Sequence, residues 1–343
     1  MLKAKRFILW LVMSLMLILA GCQSAAPSQY PPISAAPSQE APTDVILMLD
    51  WVPNTNHTGI FVAQEKGWYE EAGLKVEIIQ PGETYVEQVV ATGSANFGIS
   101  FQEAVTMARA EEAPLVSVAA VIQHNTSAFA SRVERGIAEP KDFEGKNFGS
   151  YGSPAERPVI DLLMSCDGGA SGDTVNFIDT GFADFLSITE GEVDFSWIFY
   201  GWEGIDAELK GVELNLIMLK QWLECVPDLY APIIITSEKM IAEQPEIVKA
   251  FVSATAKGYE YAIANPDDAA DILLKAAPET DAELTKASQK WLSQQYQADA
   301  PAWGVQKAEV WQNFADLLFD NGVLSEKIDT SSAFNNDFLP PTK

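Results

Sequence analysis

The feature that most limits the fold of this chain is a repeated alternation. Short runs that are almost wholly apolar are followed by stretches in which apolar residues recur every three or four positions. The apolar run at 45–49 reads as a buried strand. Residues 57–73 then carry Ile60, Phe61, Ala63, Trp68 and Ala72 at helical spacing and end on Gly73. Strands at 74–79, 95–100 and 115–122 alternate with helices at 84–92 and up to Ala110. The pattern resumes past Pro140, with strands near 147–150, 175–178 and 194–200 and helices at 158–164 and 183–189. A return strand at 233–236 precedes helices at 245–263, 266–276, 281–295 and 305–321. A strand that reaches its neighbour through a helix pairs parallel to it, and the helices cover both faces of the sheet. The expected class is therefore α/β, with mostly parallel sheets in two lobes: 44–131 as the first part of lobe 1, 132–234 as lobe 2, and 235–343 as the return to lobe 1 with the C-terminal helices. Ligands of open α/β sheets sit beyond the carboxyl ends of the strands, so two facing lobes place the ligand in the cleft between them.

The N-terminus bears on the compartment. Lys3, Lys5 and Arg6 precede an apolar stretch from Phe7 to Ala20 interrupted only by Ser14, and Gly21 and Cys22 follow. A basic segment, a short apolar core and small residues at the cut read as a secretory signal over residues 1–21. Leu19, Ala20, Gly21 and Cys22 together resemble a bacterial lipobox, which makes Cys22 the lipidated first residue of a membrane-anchored protein facing the extracytoplasmic side. Residues 22–43, rich in Ser, Ala, Pro and Gln, read as a disordered tether.

The chain holds 48 acidic against 22 basic residues, a formal charge of −26. Removing residues 1–21, which contain three bases and no acid, takes it to −29. Such a surface disfavours nucleic acid and polyanionic ligands, although a local pocket can depart from the global field. Beyond Cys22 only Cys166 and Cys225 remain, either paired in an oxidising compartment or left as two buried thiols. Two histidines, His57 and His124, and no CxxC spacing give no basis for a metal site. No cofactor is expected.

Several segments carry a family resemblance: LDWVPNTNHTG at 49–59 with VAQEKG at 62–67, FEGK at 143–146 with GSYGSP at 149–154, WIFYGWEGI at 197–205, and QADAP at 297–301 with WG at 303–304. Over almost all of the chain from Asp44 onward this resembles proteins related to the yeast thiamine-pyrimidine synthase. With the lipobox, it is most similar to the bacterial branch that binds formylaminopyrimidine, a thiamine precursor. The resemblance implies the two-lobed type II periplasmic-binding-protein fold, a monomer, and partnership with an ABC permease and its ATPase. The synthase branch carries a cysteine-rich run and uses pyridoxal phosphate and iron. This chain lacks adjacent cysteines, and the expectation is a binding protein, not an enzyme. Other flat heterocycles such as riboflavin, or a sulfonate, are the alternative ligands.

A planar aminopyrimidine calls for aromatic walls on its faces and donors and acceptors along its edge. Trp51 and Asn54 follow the first strand, and Asn54 or Asn56 also suits a helix cap. His57 suits a polar contact or a structural place in the first turn. Gln102 and Glu103 follow the strand ending at Ser100, with capping as their other reading. Tyr151 and Ser153 lie in the small-residue loop 149–153, whose amides suit an anion or a carbonyl, or a plain turn. Tyr200, Trp202 and Glu203 fall at the end of the strand 194–200, whereas Trp197 and Phe199 read as core. Glu203 also suits the cap of a helix beginning near Gly204.

Overall fold

The structure, a computed structural model, describes residues 41–82, 84–181 and 183–341. Cys22, the signal and the tether up to Glu40 lie outside the described residues. The first strand begins at Thr43, the last position assigned to the tether.

The first lobe opens with β1 (Thr43–Met48), α1 (Thr58–Glu65), α2 (Trp68–Glu71), β2 (Leu74–Ile79), α3 (Val86–Ala91), β3 (Phe97–Ser100), α4 (Gln102–Ala110) and β4 (Leu115–Ala120). The second contains β5 (Ser127–Arg132), β6 (Asn147–Ser150), α5 (Glu156–Cys166), β7 (Asn176–Asp179), α6 (Phe185–Ile188), β8 (Phe195–Phe199), α7 (Ile205–Leu209) and β9 (Leu214–Met218). The chain returns on β10 (Ile233–Ser237) and continues through α8 (Glu238–Glu243), α9 (Pro245–Ala264), α10 (Pro266–Ala276), α11 (Ala282–Leu292) and α12 (Ala308–Asp320).

The sheet orders are β2-β1-β3-β10-β4 and β7-β6-β8-β5-β9. In each, the strand next to the last is antiparallel to both neighbours, and the others run one way. That strand is the one receiving the chain from the other lobe: β5 after the first crossover, β10 after the second. The two lobes therefore repeat one topology.

The apolar run of β1 has a direct cause. Val45, Leu47 and Leu49 enter a core shared with Ile60 and Val62 of α1 and Phe251 of α9. Met48, with Ile46 beside it, packs on the opposite face against Val86 and Val90 of α3. A strand covered on both faces has no polar alternation to show. The helices α1 and α9 touch at bare backbone: a Cβ on Gly258 would lie 1.8 Å from the carbonyl oxygen of Gly59.

The alternation read from the sequence holds, with four differences. The helix expected over 57–73 is a 3-10 turn (Thr55–His57), α1 and α2, divided at Gly67, whose φ of +72° leaves the helical region. The strands β5 and β9 and the helix α8 were not anticipated. Because β5 pairs in the second sheet, the chain crosses between Ala120 and Ser127, ahead of the expected boundary at 131. The last helix is not confined to the first lobe: α12 gives Trp311 to the first-lobe core and Phe314, Leu317 and Leu318 to that of the second.

Cys166, at the end of α5, is joined to Cys225 in the second crossover by a disulfide, with Cα atoms 6.2 Å apart. At the crossovers, both ring nitrogens of His124 face carboxylates, Nδ1 to Asp228 at 2.6 Å and Nε2 to Asp299 at 2.7 Å. The hydrogen bond to Asp228, joined by that to Asp299, raises the imidazole to about 9 against its burial, so an imidazolium ties the first crossover to the second.

Candidate ligand-binding site

A cavity of about 430 Å³ lies between the lobes, within the range of small-molecule sites. Its lining comes from the ends of the parallel strands: Asp50, Trp51, Asn54 and Asn56 after β1, Phe101 and Glu103 after β3, Tyr151 after β6, Asp184 after β7, and Trp202 and Glu203 after β8. The crossovers supply Asn125, Leu229 and Ala231, and the interior of β8 supplies Trp197.

The walls are aromatic. Phe101 from the first lobe stacks on Phe199 from the second, centroids 6.0 Å apart. Tyr151 meets the edge of Trp197. Trp51, 39% exposed, stands at the rim. Trp197 is 8% exposed, and its indole Nε1 has no hydrogen-bond partner among the described residues. Trp197 and Phe199 pack in the second-lobe core as expected, and both also face the cavity.

Glu203 sits in a π-helical turn, Tyr200–Gly204, where the chain leaves β8. Its Oε2 accepts the Phe199 backbone N–H at 3.0 Å. Burial pushes its carboxyl up to about 7 against backbone hydrogen bonds, with the charges of Asp184 and Asp206 adding to the rise. Only glycine fits at 204, since a Cβ there would lie 2.4 Å from the Tyr200 ring.

Glu103 spans the cleft. On α4 of the first lobe, it accepts hydrogen bonds from Tyr151 Oη at 3.2 Å and Ser153 Oγ at 3.0 Å, both in the second lobe. Burial raises its carboxyl pKa, the two hydroxyls oppose the shift, and nearby Glu87 adds to it. The loop amides considered for an anion are already engaged: Tyr151 and Gly152 N–H donate to Glu156, at 3.1 and 3.3 Å, with Ser150 Oγ at 2.5 Å. Burial raises Glu156 to about 7 despite these bonds.

Of the residues chosen from the sequence, Trp51, Asn54, Glu103, Tyr151, Trp202 and Glu203 line the cavity. Asn54 is also the cap of the 3-10 turn, its Oδ1 accepting Asn56 N–H at 2.9 Å. Four others stand behind the wall. His57 is fully buried; its Nδ1 accepts Asn54 N–H at 3.2 Å, which leaves Nε2–H to hold Asp50 at 2.6 Å. Gln102 bonds the Tyr230 N–H at 2.9 Å and the Val310 carbonyl at 3.1 Å. Tyr200 donates to Glu208 at 2.6 Å and packs on Trp291. Ser153 reaches the cavity only through Glu103. Sequence reasoning passed over Asp50, Asn125, Asp184 and Asp206. Asp50 was the one with a signal, as the first charged residue after the apolar run of β1.

Comparison with known proteins gives these results. A formylaminopyrimidine-binding protein of Halalkalibacterium halodurans is 29% identical over 93% of this chain and 95% of its own. A riboflavin-binding protein, RibY, of Chloroflexus aurantiacus is 28% identical over 96% and 97%. A 4-amino-5-hydroxymethyl-2-methylpyrimidine phosphate synthase of Legionella pneumophila is 24% identical over 87% and 93%. Among solved structures, the periplasmic nitrate-binding protein NrtA of Synechocystis superposes with a TM-score of 0.69 at 14% identity, covering 87% of each chain. That likeness bears on the fold, the two-lobed α/β architecture of periplasmic binding proteins. The family described as NMT1/THI5 like matches residues 54–269, more than half of the sequence, and the chain belongs to that family.

Proposed function

We propose that this protein is an extracytoplasmic lipoprotein that captures a thiamine-related pyrimidine, of the formylamino or hydroxymethyl type, and delivers it to the permease and ATPase of an ABC importer. The observation that carries the reading is the cavity itself: aromatic walls from both lobes enclose a set of acceptors, led by Glu203 and Glu103, that suits a flat ring bearing amino donors. The ligand of the Halalkalibacterium relative, and the disulfide expected of an oxidising compartment, support it. Binding without chemistry is favoured over a pyridoxal-phosphate synthase because no lysine is among the described residues that line the cavity, where a Schiff base would need one.

Calorimetry with formylaminopyrimidine tests the reading. At about −0.8 kcal/mol per heavy atom, a ligand of roughly a dozen atoms should bind with a dissociation constant on the order of tens of nanomolar. Millimolar binding would mean that the ligand is wrong. Riboflavin is the second reading, because 430 Å³ also admits a larger ring system; tighter binding of riboflavin in the same assay would select it. The anchor is tested separately: Cys22→Ser should abolish lipidation, leaving the protein released or unprocessed.

A further inference from the structure

The carboxylates of the cavity outnumber anything that could balance them. Asp50, Glu103, Asp184, Glu203 and Asp206 line it, and no Lys, Arg or His is among the described lining residues. One of the five meets a cation from behind, Asp206, which receives the exposed Lys210 at 2.8 Å; Asp50 accepts the Nε2–H of His57 at 2.6 Å. The other three meet only neutral donors. Glu103 accepts two hydroxyls, Glu203 accepts the Phe199 amide, and Asp184 accepts the amide and hydroxyl of Ser187 at 2.9 and 2.7 Å. The nearby loop whose amides could have held an anion is filled by Glu156 of the chain itself.

A second observation is independent of the acids. Trp197, nine-tenths buried in the cavity wall, has an indole N–H with no partner among the described residues. A buried donor of this kind is satisfied when something brings an acceptor to it. Trp51 and Trp202 also line the cavity, and the π face of an indole attracts cations. The complement of these walls is flat, carries an acceptor for Trp197, and brings positive charge to Glu203 and Asp184.

We infer that the cavity selects its ligand by charge, admitting the neutral aminopyrimidines of the reading above, holding one that bears a protonated amine more tightly, and rejecting phosphorylated or sulfonated forms. This rests on the cavity being the ligand site, and it adds to that reading a discrimination that shape alone would not give. A phosphate ester of the same pyrimidine would bring negative charge into a lining of five acidic side chains, with no cation among the described lining residues to receive it.

The test uses the mature protein freed of bound ligand, and calorimetry with four pyrimidines that share one ring: 4-amino-5-aminomethyl-2-methylpyrimidine, its neutral N-formyl derivative, the hydroxymethyl analogue, and the phosphate ester of that analogue. The charged amine should bind at least about tenfold tighter than the formyl derivative, and the ester at least about a hundredfold weaker than its parent alcohol. Asp184→Asn with Asp206→Asn should shrink the amine-to-formyl ratio to below about threefold; Asn can still accept from Ser187, so the α6 cap is kept. Equal affinities across the series, or tightest binding of the ester, overturn charge selection while leaving the cavity as a pyrimidine site. No binding by any of the four overturns both readings.

Discussion

Replacing Glu203 by Gln separates its role in binding from its role in holding the turn after β8. Glutamine is isosteric, and its carbonyl oxygen can still accept the Phe199 N–H that Glu203 accepts at 3.0 Å. What is lost is the charge, and one acceptor becomes a donor. The carboxyl is raised from 4.5 to about 7 in the folded protein. An acid with a raised folded-state pKa holds its proton more tightly folded than unfolded. Stability therefore falls as pH rises from about 4.5 through about 7 and stays at the lower level above it. The Gln variant removes this dependence. It should melt at or above the wild-type temperature at pH 8, with a flatter profile between pH 5 and pH 8.

Affinity should move the other way. Losing a charge-assisted hydrogen bond to the exocyclic amino group costs about 1.5–3 kcal/mol, a loss of roughly ten- to 150-fold. Trp202→Ala, which removes a ring face, should cost about 2–4 kcal/mol. Calorimetry with the aminopyrimidine and thermal melts across the pH series, on the same preparations, decide between the roles. Unchanged affinity with lowered stability in Glu203→Gln would refute the argument and leave the residue as a cap.

Three further outcomes are expected. Gly258→Ala should destabilise by at least about 3 kcal/mol in denaturant titration, because its Cβ would fall 1.8 Å from the Gly59 carbonyl oxygen and two helix backbones must part to admit it; a loss under about 1 kcal/mol would mean that the helices separate cheaply. His124 is raised from 6.5 to about 9, so its pairing stabilises fully below about pH 6.5 and is lost as pH rises through about 9. His124→Gln should melt below wild type at pH 6 and converge with it above pH 9, by no more than about 1 kcal/mol for so exposed a pair; a gap that persists at pH 10 would contradict the ionic origin. Reducing Cys166–Cys225, 59 residues apart, should lower stability by about 4 kcal/mol on the loop-entropy model; unchanged melting would show that the reduced chain stays equally constrained.

What the sequence displayed depended on how each element is covered. β1, β2 and β4 announce themselves because apolar side chains pack on the core. β5 does not: Ser127 and Ser131 are buried as deeply as any valine, but they are satisfied by Asn125 and by the Ile137 carbonyl, so the strand reads as polar. The break at Gly67 was hidden because apolar spacing resumes at Trp68, and a single left-handed residue leaves no periodic trace. The strand-end rule led to Trp51, Glu103, Tyr151 and Glu203 because parallel topology alone places such residues at the cleft. It was blind to Asn125, on a crossover, and to Asp184, which caps a one-turn helix, because their positions are set by the packing of distant segments. It also could not tell His57 from Asp50: adjacent in the fold, one faces the cavity and the other orients it from behind.

The repeated topology bears on how such a site could both hold and release. Each lobe contributes acceptors and rings, but neither lobe encloses the cavity alone. Glu103 of the first lobe is satisfied by hydroxyls of the second, and Phe101 stacks on Phe199 across the same gap. Opening the lobes would expose these groups to water together, which offsets much of the electrostatic cost of separation for Glu103. The lobes are joined by two crossovers, and these are held to one another by His124 and Asp228. Under the binding reading, a ligand that brings donors to Glu103 and Glu203 and an acceptor to Trp197 favours the closed arrangement by the contacts it makes to both lobes at once. A ligand that touches one lobe alone has no means of shifting that balance.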